Sequence, residues 1–346
     1  MRGVIGALKA DVERLTAELQ LYDVLADALE SRYVTDQKRL RDYGSRARRM
    51  TYANTIVGSY GLIEQTIDSV LTTLAESYGR LYATFGDIPE TVRVQHRELI
   101  LQCLRDGDRA RTRKLINERD AIEALGRTLD GRADLVPEVF TMSTANYRTP
   151  YVTGLFSRLA VNIDEGLSRN EPSDALELAG YANYESFIAD LVQRRNDLAH
   201  SYGDDNIIAP TVLRAYVDIV AAYLHSVVRV ANRHVIKLLT ARLMPVGQVV
   251  QTWTGRLGIR MTAGSLAVGD RVLVQKEEWC TSHFVQSLQS ESQAHEKITV
   301  GDRSINVGAQ VDCVPAGAEN ASVFVLTNDW KDFWPASEKW VLDMSE

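Results

Sequence analysis

The sequence predicts an α+β protein with the two kinds of structure in separate domains, an all-α helical bundle followed by a small all-β barrel. Three observations carry this expectation. Apolar residues recur at helical spacing through the first 244 residues, all five tryptophans fall between Trp253 and Trp340, and Pro245 and Gly247 stand between the two regions as breakers. A chain of 346 residues is also long for one core. The expected organisation is a helical extension over residues 1–49, a helical domain over 50–244 and a barrel over 246–346.

Bulk composition narrows the function classes. The hydrophobic share of 45% and charged share of 25% are those of an ordinary globular protein. The most apolar stretch, "AYVDIVAAYLHSVV", carries Asp218 and His225 and is short for a membrane span. No secretory pattern opens the chain, so a cytoplasmic protein without a membrane partner is expected. Cys103, Cys280 and Cys313 have no metal-like spacing, and an odd count argues against a disulfide framework. A net charge of -7 requires any nucleic-acid site to be a local patch.

The helical elements follow in order. Ile5, Leu8, Val12, Leu15, Leu19, Tyr22, Ala26 and Leu29 alternate steps of three and four, the seam of a coiled-coil or bundle helix. From Arg32 to Arg49, the cations Lys38, Arg39, Arg41, Arg46, Arg48 and Arg49 outnumber Asp36 and Asp42. This segment is either a solvated face or a phosphate-contacting surface. Ile63, Ile67, Val70 and Leu74 then mark a long central helix stopping near Gly79. Residues 81–135 alternate in charge, as exposed helices joined by a turn at Gly107 would. "TMSTANYRTPYVTG" reads as a loop, with a short helix after Pro150.

The informative helix opens at Asn183, a good N-cap, with Glu185 in its first turn, and should stop by Gly203. At about 100° per residue, Phe187, Ile188, Leu191, Val192 and Leu198 form one stripe, and Arg195 falls within it. A guanidinium on a side that ought to be buried needs a carboxylate, an interface or an anionic ligand. Glu64 on the central helix is one candidate. The arc from Arg195 through Asn196 to His200 covers about 140° of the helix surface, so the three polar groups share one edge of the stripe. Histidine exchanges protons near neutral pH more readily than other side chains. The bland alternative is a histidine closing the helix end and an arginine bonded to an internal glutamate.

The run "RRNDLAHSYG" resembles the signature of the HEPN superfamily: Arg195, Asn196 directly after it, three residues, then His200. Tyr202 matches the extended form with a tyrosine two places past the histidine. The flanking helices resemble the larger prokaryotic HEPN proteins of the RiboL-PSP-associated kind, and the likeness spans roughly residues 50–244. The resemblance implies metal-independent RNA cleavage, with no cofactor, at a site shared by the two protomers of a homodimer. His200, Arg195 and Asn196 would be the catalytic residues, with Glu64, Arg194 and Tyr202 in support. It further implies a toxin or antiphage effector, in some cases silenced by a partner antitoxin that modifies the tyrosine. Two other readings stand beside it: a noncatalytic RNA- or nucleotide-binding HEPN module, and a helical scaffold presenting the barrel.

After Pro245, "VVQTWTGRLGIRM", "DRVLVQKEEW", "HFVQSLQSES", "EKITVGD", "AQVDCVP" and "ASVFVL" are short β-branched and aromatic runs broken by turn residues. They predict the barrel. "GSLAVGDRVLV" resembles the second-domain barrel of translation GTPases. This module carries 8 basic and 13 acidic residues, which fits recognition of a partner better than a general grip on polyanions. Its tryptophans read as core and edge residues, His225 and His234 in the last helix as packing or surface positions, and His96, His283 and His295 have no sequence neighbours that suggest chemistry.

Overall fold

The computed structural model describes residues 1–30, 37–105, 116–143, 145–168, 171–200, 207–277, 279–301, 303–312, 314, 317–331, 333 and 342–343. It comprises two compact units, Gly3–Ala231 and Asn232–Glu346 with Met1–Arg2. The first is helical and the second is built on an antiparallel barrel. This is the α+β arrangement with separate domains that the sequence predicts.

In the helical unit, α1 (Arg2–Glu30) carries the heptad seam, of which Ile5, Leu8, Leu15 and Leu19 are buried. The seam packs within the chain. A Cβ built on Gly58 would lie 2.8 Å from Leu15 Cδ2, so the missing side chain at Gly58 admits the leucine. Gly58 belongs to α2 (Gln37–Leu81), a helix of 45 residues. From Gln37 on, the basic segment and the central stretch, separated at residue 50 in the sequence reading, are one continuous helix, while residues 32–36 lie outside the described residues. Gly44 is the weakest helix former in its first part, at a cost of about 1 kcal/mol. The buried downstream face, with Ile56, Ile63, Ile67, Val70 and Leu74 all fully covered, outweighs it.

α3 (Glu90–Arg105) and α4 (Glu118–Leu129) follow, and the Asn117 side chain caps α4 by accepting from the Asp120 amide. The turn expected at Gly107 lies outside the described residues. A 3-10 turn at Pro137–Thr141 leads to α5 (Thr149–Ser157), which has Pro150 in its first turn. α6 (Asp164–Ser168) and α7 (Ser173–Ala179) are short, and α7 ends on Gly180 at φ 82°.

α8 (Tyr184–His200) begins where the cap predicts, since Asn183 Oδ1 accepts from the Ser186 amide at 2.9 Å. α9 (Pro210–Thr240) runs for 31 residues. Among the described residues it is the one helix long and apolar enough to cross a membrane, which corrects the reading of its apolar stretch as too short. Its most apolar window, of mean hydropathy 1.3, is 61% buried inside the molecule. Val220, Tyr223, Leu224 and Val227 are fully covered, so that face is spent on the core.

In the second unit, β1 (Gly247–Trp253), β2 (Arg256–Met261), β4 (Arg271–Gln275), β5 (Trp279–Ser290), β8 (Ile305–Val311) and β9 (Ser322–Val325) pair in the order β5-β4-β9-β1-β2-β8. A β5–β8 ladder closes the barrel. β3 (Ser265–Ala267) pairs with β7 (Lys297–Thr299), while β6 (Gln293–His295) and β10 (Leu342–Asp343) add to β5. Interior positions alternate along the strands and include Val249, Leu257, Ile259, Val272, Val274, Val285, Val307 and Val323. The "LAVGDRV" run turns at Gly269, at φ 83°. There Asp270 Oδ2 accepts from the Ala267 amide at 2.9 Å. At Gly247 a Cβ would fall 2.2 Å from the Arg260 carbonyl, so the β1–β2 contact tolerates only hydrogen.

Candidate functional site

The motif residues sit on the C-terminal half of α8, whose apolar stripe is covered within one chain. Phe187, Ile188, Leu191 and Val192 are fully buried, and Phe187 packs edge-on against Tyr181 and, on α9, Tyr216. These four positions therefore do not wait for a partner helix, while Leu198, the last of the stripe, is half-buried. Arg195, at its edge, is half-buried and lies with its guanidinium 5.0 Å from the centre of the Tyr60 ring, a cation–π contact. Its Nη1 donates to Asn196 Oδ1 at 3.2 Å.

Glu64 and Arg195 meet through Tyr60 rather than by a direct ion pair. The Tyr60 hydroxyl accepts from the Tyr147 amide at 3.2 Å and bonds to the Glu64 carboxylate one turn along α2. Burial, with the Glu64 charge adding to it, raises the Tyr60 pKa. A turn further on, Asp68 accepts a short hydrogen bond from the Tyr147 hydroxyl. Burial first, and the nearby Glu64 charge, push Asp68 up to about 6 against that bond. Tyr60, Glu64 and Asp68 thus form an acidic edge of α2, with Tyr147, from the segment before α5, bonded to Tyr60 and Asp68.

Arg194 is the arginine that finds a carboxylate. Its Nε donates to Asp190 Oδ2 at 2.6 Å, one turn back on α8, and an Nη1 reaches the Tyr52 hydroxyl of α2 at 3.3 Å. Asp190 Oδ2 also accepts from Tyr181 at 2.5 Å and from Tyr216 at 2.8 Å, and these two hydroxyls bond to each other. Burial opposes the Asp190 charge, yet the bonds from Tyr181, Arg194 and Tyr216 outweigh it and lower the pKa. For Arg194 the bonds it donates to Tyr52 and Asp190 likewise overcome burial and raise it. The network ties α8 to α2 and α9 and fixes the roll of the helix that presents Arg195 and Asn196. The Asp190–Arg194 spacing was readable in "ADLVQRR"; the tyrosines come from distant segments and carried no local signal.

His200 is the last residue of α8 and is exposed. Among the described residues no hydrogen bond joins it to Arg195 or Asn196. Tyr202 lies outside the described residues, as do Cys313, Trp334 and Trp340. Of the basic segment, Arg46, Arg48 and Arg49 are exposed, and Arg49 stands about one turn before Tyr52 on α2. An accessible cationic surface therefore leads along α2 toward the residue that holds Arg194.

The other histidines divide by burial. His96 Nε2 accepts from the Val136 amide at 2.9 Å, and burial, with Arg97 and Arg127 nearby, pushes it down to about 4. His234 is lowered to about 4 by burial and Lys237. His283, on β5, has partners the sequence did not reveal: Nε2 meets Thr281 Oγ1 at 2.7 Å and Nδ1 meets Asp312 Oδ1 at 3.3 Å. This is the order of a hydroxyl–imidazole–carboxylate relay. With His283 4% and Thr281 6% exposed, the hydroxyl has no approach from solvent, so the trio satisfies buried polar groups.

No family model matches the chain, and no curated protein is similar to it.

Proposed function

We propose that the helical domain is a HEPN-type endoribonuclease that cleaves RNA without a metal ion. One observation carries the reading. Arg195 is half-exposed and, among the described residues, lacks a carboxylate partner, while its neighbour Arg194 has one. A guanidinium held against a tyrosine face, with Asn196 bonded to it, is prepared for an anion. In the proposed chemistry the ribose 2′-oxygen attacks the adjacent phosphorus and the 5′-oxygen leaves. His200 takes the 2′ proton or supplies one to the leaving oxygen, and Arg195 stabilises charge growing on the phosphoryl oxygens. The product is a 2′,3′-cyclic phosphate, and DNA, lacking the nucleophile, is not a substrate.

A homodimer would bring two such helices together around one phosphate, each supplying one member of the histidine pair. Arg46, Arg48 and Arg49 would hold the flanking strand. A toxin or antiphage role would follow from such an activity, with a partner acting on Tyr202 as a means of restraint.

The test is incubation of the purified full chain with total RNA in EDTA, beside His200→Ala and Arg195→Ala, with analysis of the new ends. Cleavage leaving cyclic phosphate, lost in both variants, supports the reading. RNA binding without cleavage favours a noncatalytic module, and neither result leaves a scaffold.

A further inference from the structure

The outer face of the barrel carries a groove of about 970 Å³ along β1, β2, β8 and β5. Strand register defines its floor. One cross-strand row reads Gln251, Gly258, Gly308, Gln289, and the next reads Trp253, Arg256, Gln310, Ser287. Outward positions of a sheet ordinarily carry side chains. The paired glycines remove two from the middle of the first row and leave a trough with an amide at each end.

The two glycines differ in a way that points to a ligand. A Cβ on Gly258 would lie 2.8 Å from the Trp253 ring, so the indole rests on bare backbone there. At Gly308 a Cβ would meet nothing nearer than 3.8 Å. Packing does not require that glycine, and the space above it is open. Trp253 stays 49% exposed, an apolar plate beside hydroxyls and amides. Both flanking strands are bulged at this level, β1 between Val249 and Gln251 and β5 between Val285 and Ser287. Bulges re-aim side chains and recur beside binding sites.

Charge selects the ligand class. The charged lining residues are Arg256 and Glu291, one of each sign. The domain carries 8 basic against 13 acidic residues, so a phosphate chain meets no positive field. A wholly apolar partner would strand the amides of Gln251, Gln289 and Gln310 without hydrogen bonds. A neutral polyhydroxylated ring satisfies both demands. Its C–H face covers the indole, and its hydroxyls exchange bonds with amides that both donate and accept. We infer that this groove binds a neutral saccharide chain, stacked on Trp253 and seated over Gly258 and Gly308. The inference is independent of the helical site.

The experiment titrates the full chain with cellopentaose, maltopentaose and chitopentaose, and separately with a five-nucleotide single-stranded RNA, using calorimetry and tryptophan fluorescence. At least one pentasaccharide should bind and shift the emission, with an affinity indifferent to salt. Trp253→Ala and Gly308→Leu, the second filling the open trough, should each weaken binding at least tenfold without moving the melting temperature. Where Trp253→Ala itself lowers the melting temperature, Gly308→Leu and Gln289→Ala, both at open positions, decide. Absence of binding by all three sugars overturns the proposal, as does binding that Gly308→Leu and Gln289→Ala leave unchanged. RNA binding that these variants weaken, with no sugar bound, overturns it too and marks the groove as a nucleic-acid face.

Discussion

Replacing Asp190 by Asn keeps the shape and one acceptor of the side chain but removes the charge that Arg194 faces. In the native protein one carboxylate oxygen takes bonds from Arg194 at 2.6 Å, Tyr181 at 2.5 Å and Tyr216 at 2.8 Å. Breaking a fully buried ion pair costs about 3–5 kcal/mol, and a hydrogen bond to a charged group is worth about 1.5–3 kcal/mol. The Arg194 and Asp190 side chains retain 17% and 31% of their exposure, so water screens part of the loss. The expected cost is about 2 kcal/mol, read as a lower urea midpoint at unchanged slope. Its pH dependence has a definite sign. The folded-state pKa of Asp190 is depressed, so its contribution is fully present above the unfolded value of about 3.9 and is lost as pH falls through the folded one. The deficit of Asp190→Asn should therefore be flat from pH 7 to 5 and shrink only below about pH 4. A deficit under about 0.5 kcal/mol at pH 7, or one that fades between pH 7 and 5, refutes the role given to this carboxylate.

Further outcomes follow from other parts of the molecule. Asp68 carries a pKa raised to about 6, so its ionisation opposes folding as pH rises from about 4 to 6. Asp68→Asn, which keeps an acceptor for Tyr147, should raise stability by about 1 kcal/mol at pH 8, after allowing for screening at a partly exposed group, and by nothing at pH 4; equal effects at both refute it. Gly247→Ala puts a methyl 2.2 Å from the Arg260 carbonyl and should cost the barrel about 2–3 kcal/mol in thermal or urea unfolding; a neutral substitution contradicts the close approach. Changing Arg46, Arg48 and Arg49 to Gln should weaken RNA binding and flatten its log–log salt slope by about 2 if all three touch a single strand. An unchanged slope removes this surface from the RNA path. His200→Ala should slow RNA cleavage by about 10² to 10⁴ while leaving the melting temperature in place, since the side chain is exposed at a helix end.

Periodicity and caps exposed most of the architecture to reading. Asn183 marks the start of α8, Pro210 the start of α9, and the alternating valines of "DRVLV" the strand β4, because each signal is local and each element obeys it. The break at residue 50 misread α2, since a change in surface charge does not interrupt a backbone whose next face is buried. The site was legible in outline only. Its two arginines are adjacent in the chain, and a helical wheel places Arg195 on the apolar side without seeing Tyr60, whose ring lets the cation stay there without a carboxylate. The pairing of Arg194 depends on Tyr52, and that of Asp190 on Tyr181 and Tyr216. These residues lie in separate segments, and only the packed chain brings them to one point. The Gly258–Gly308 trough was invisible for the same reason: strand register, which no single run of sequence contains, sets those glycines side by side.

The central claim is that RNA supplies its own nucleophile to a site built on Arg195 and His200. Its most direct measurement compares an RNA oligonucleotide spanning a mapped cleavage position with the same oligonucleotide carrying one 2′-deoxyribose at that position, both in EDTA. The expected result is cleavage of the first, ending in a 2′,3′-cyclic phosphate, and none at the modified link of the second. Equal cleavage of both, or of neither, contradicts the account.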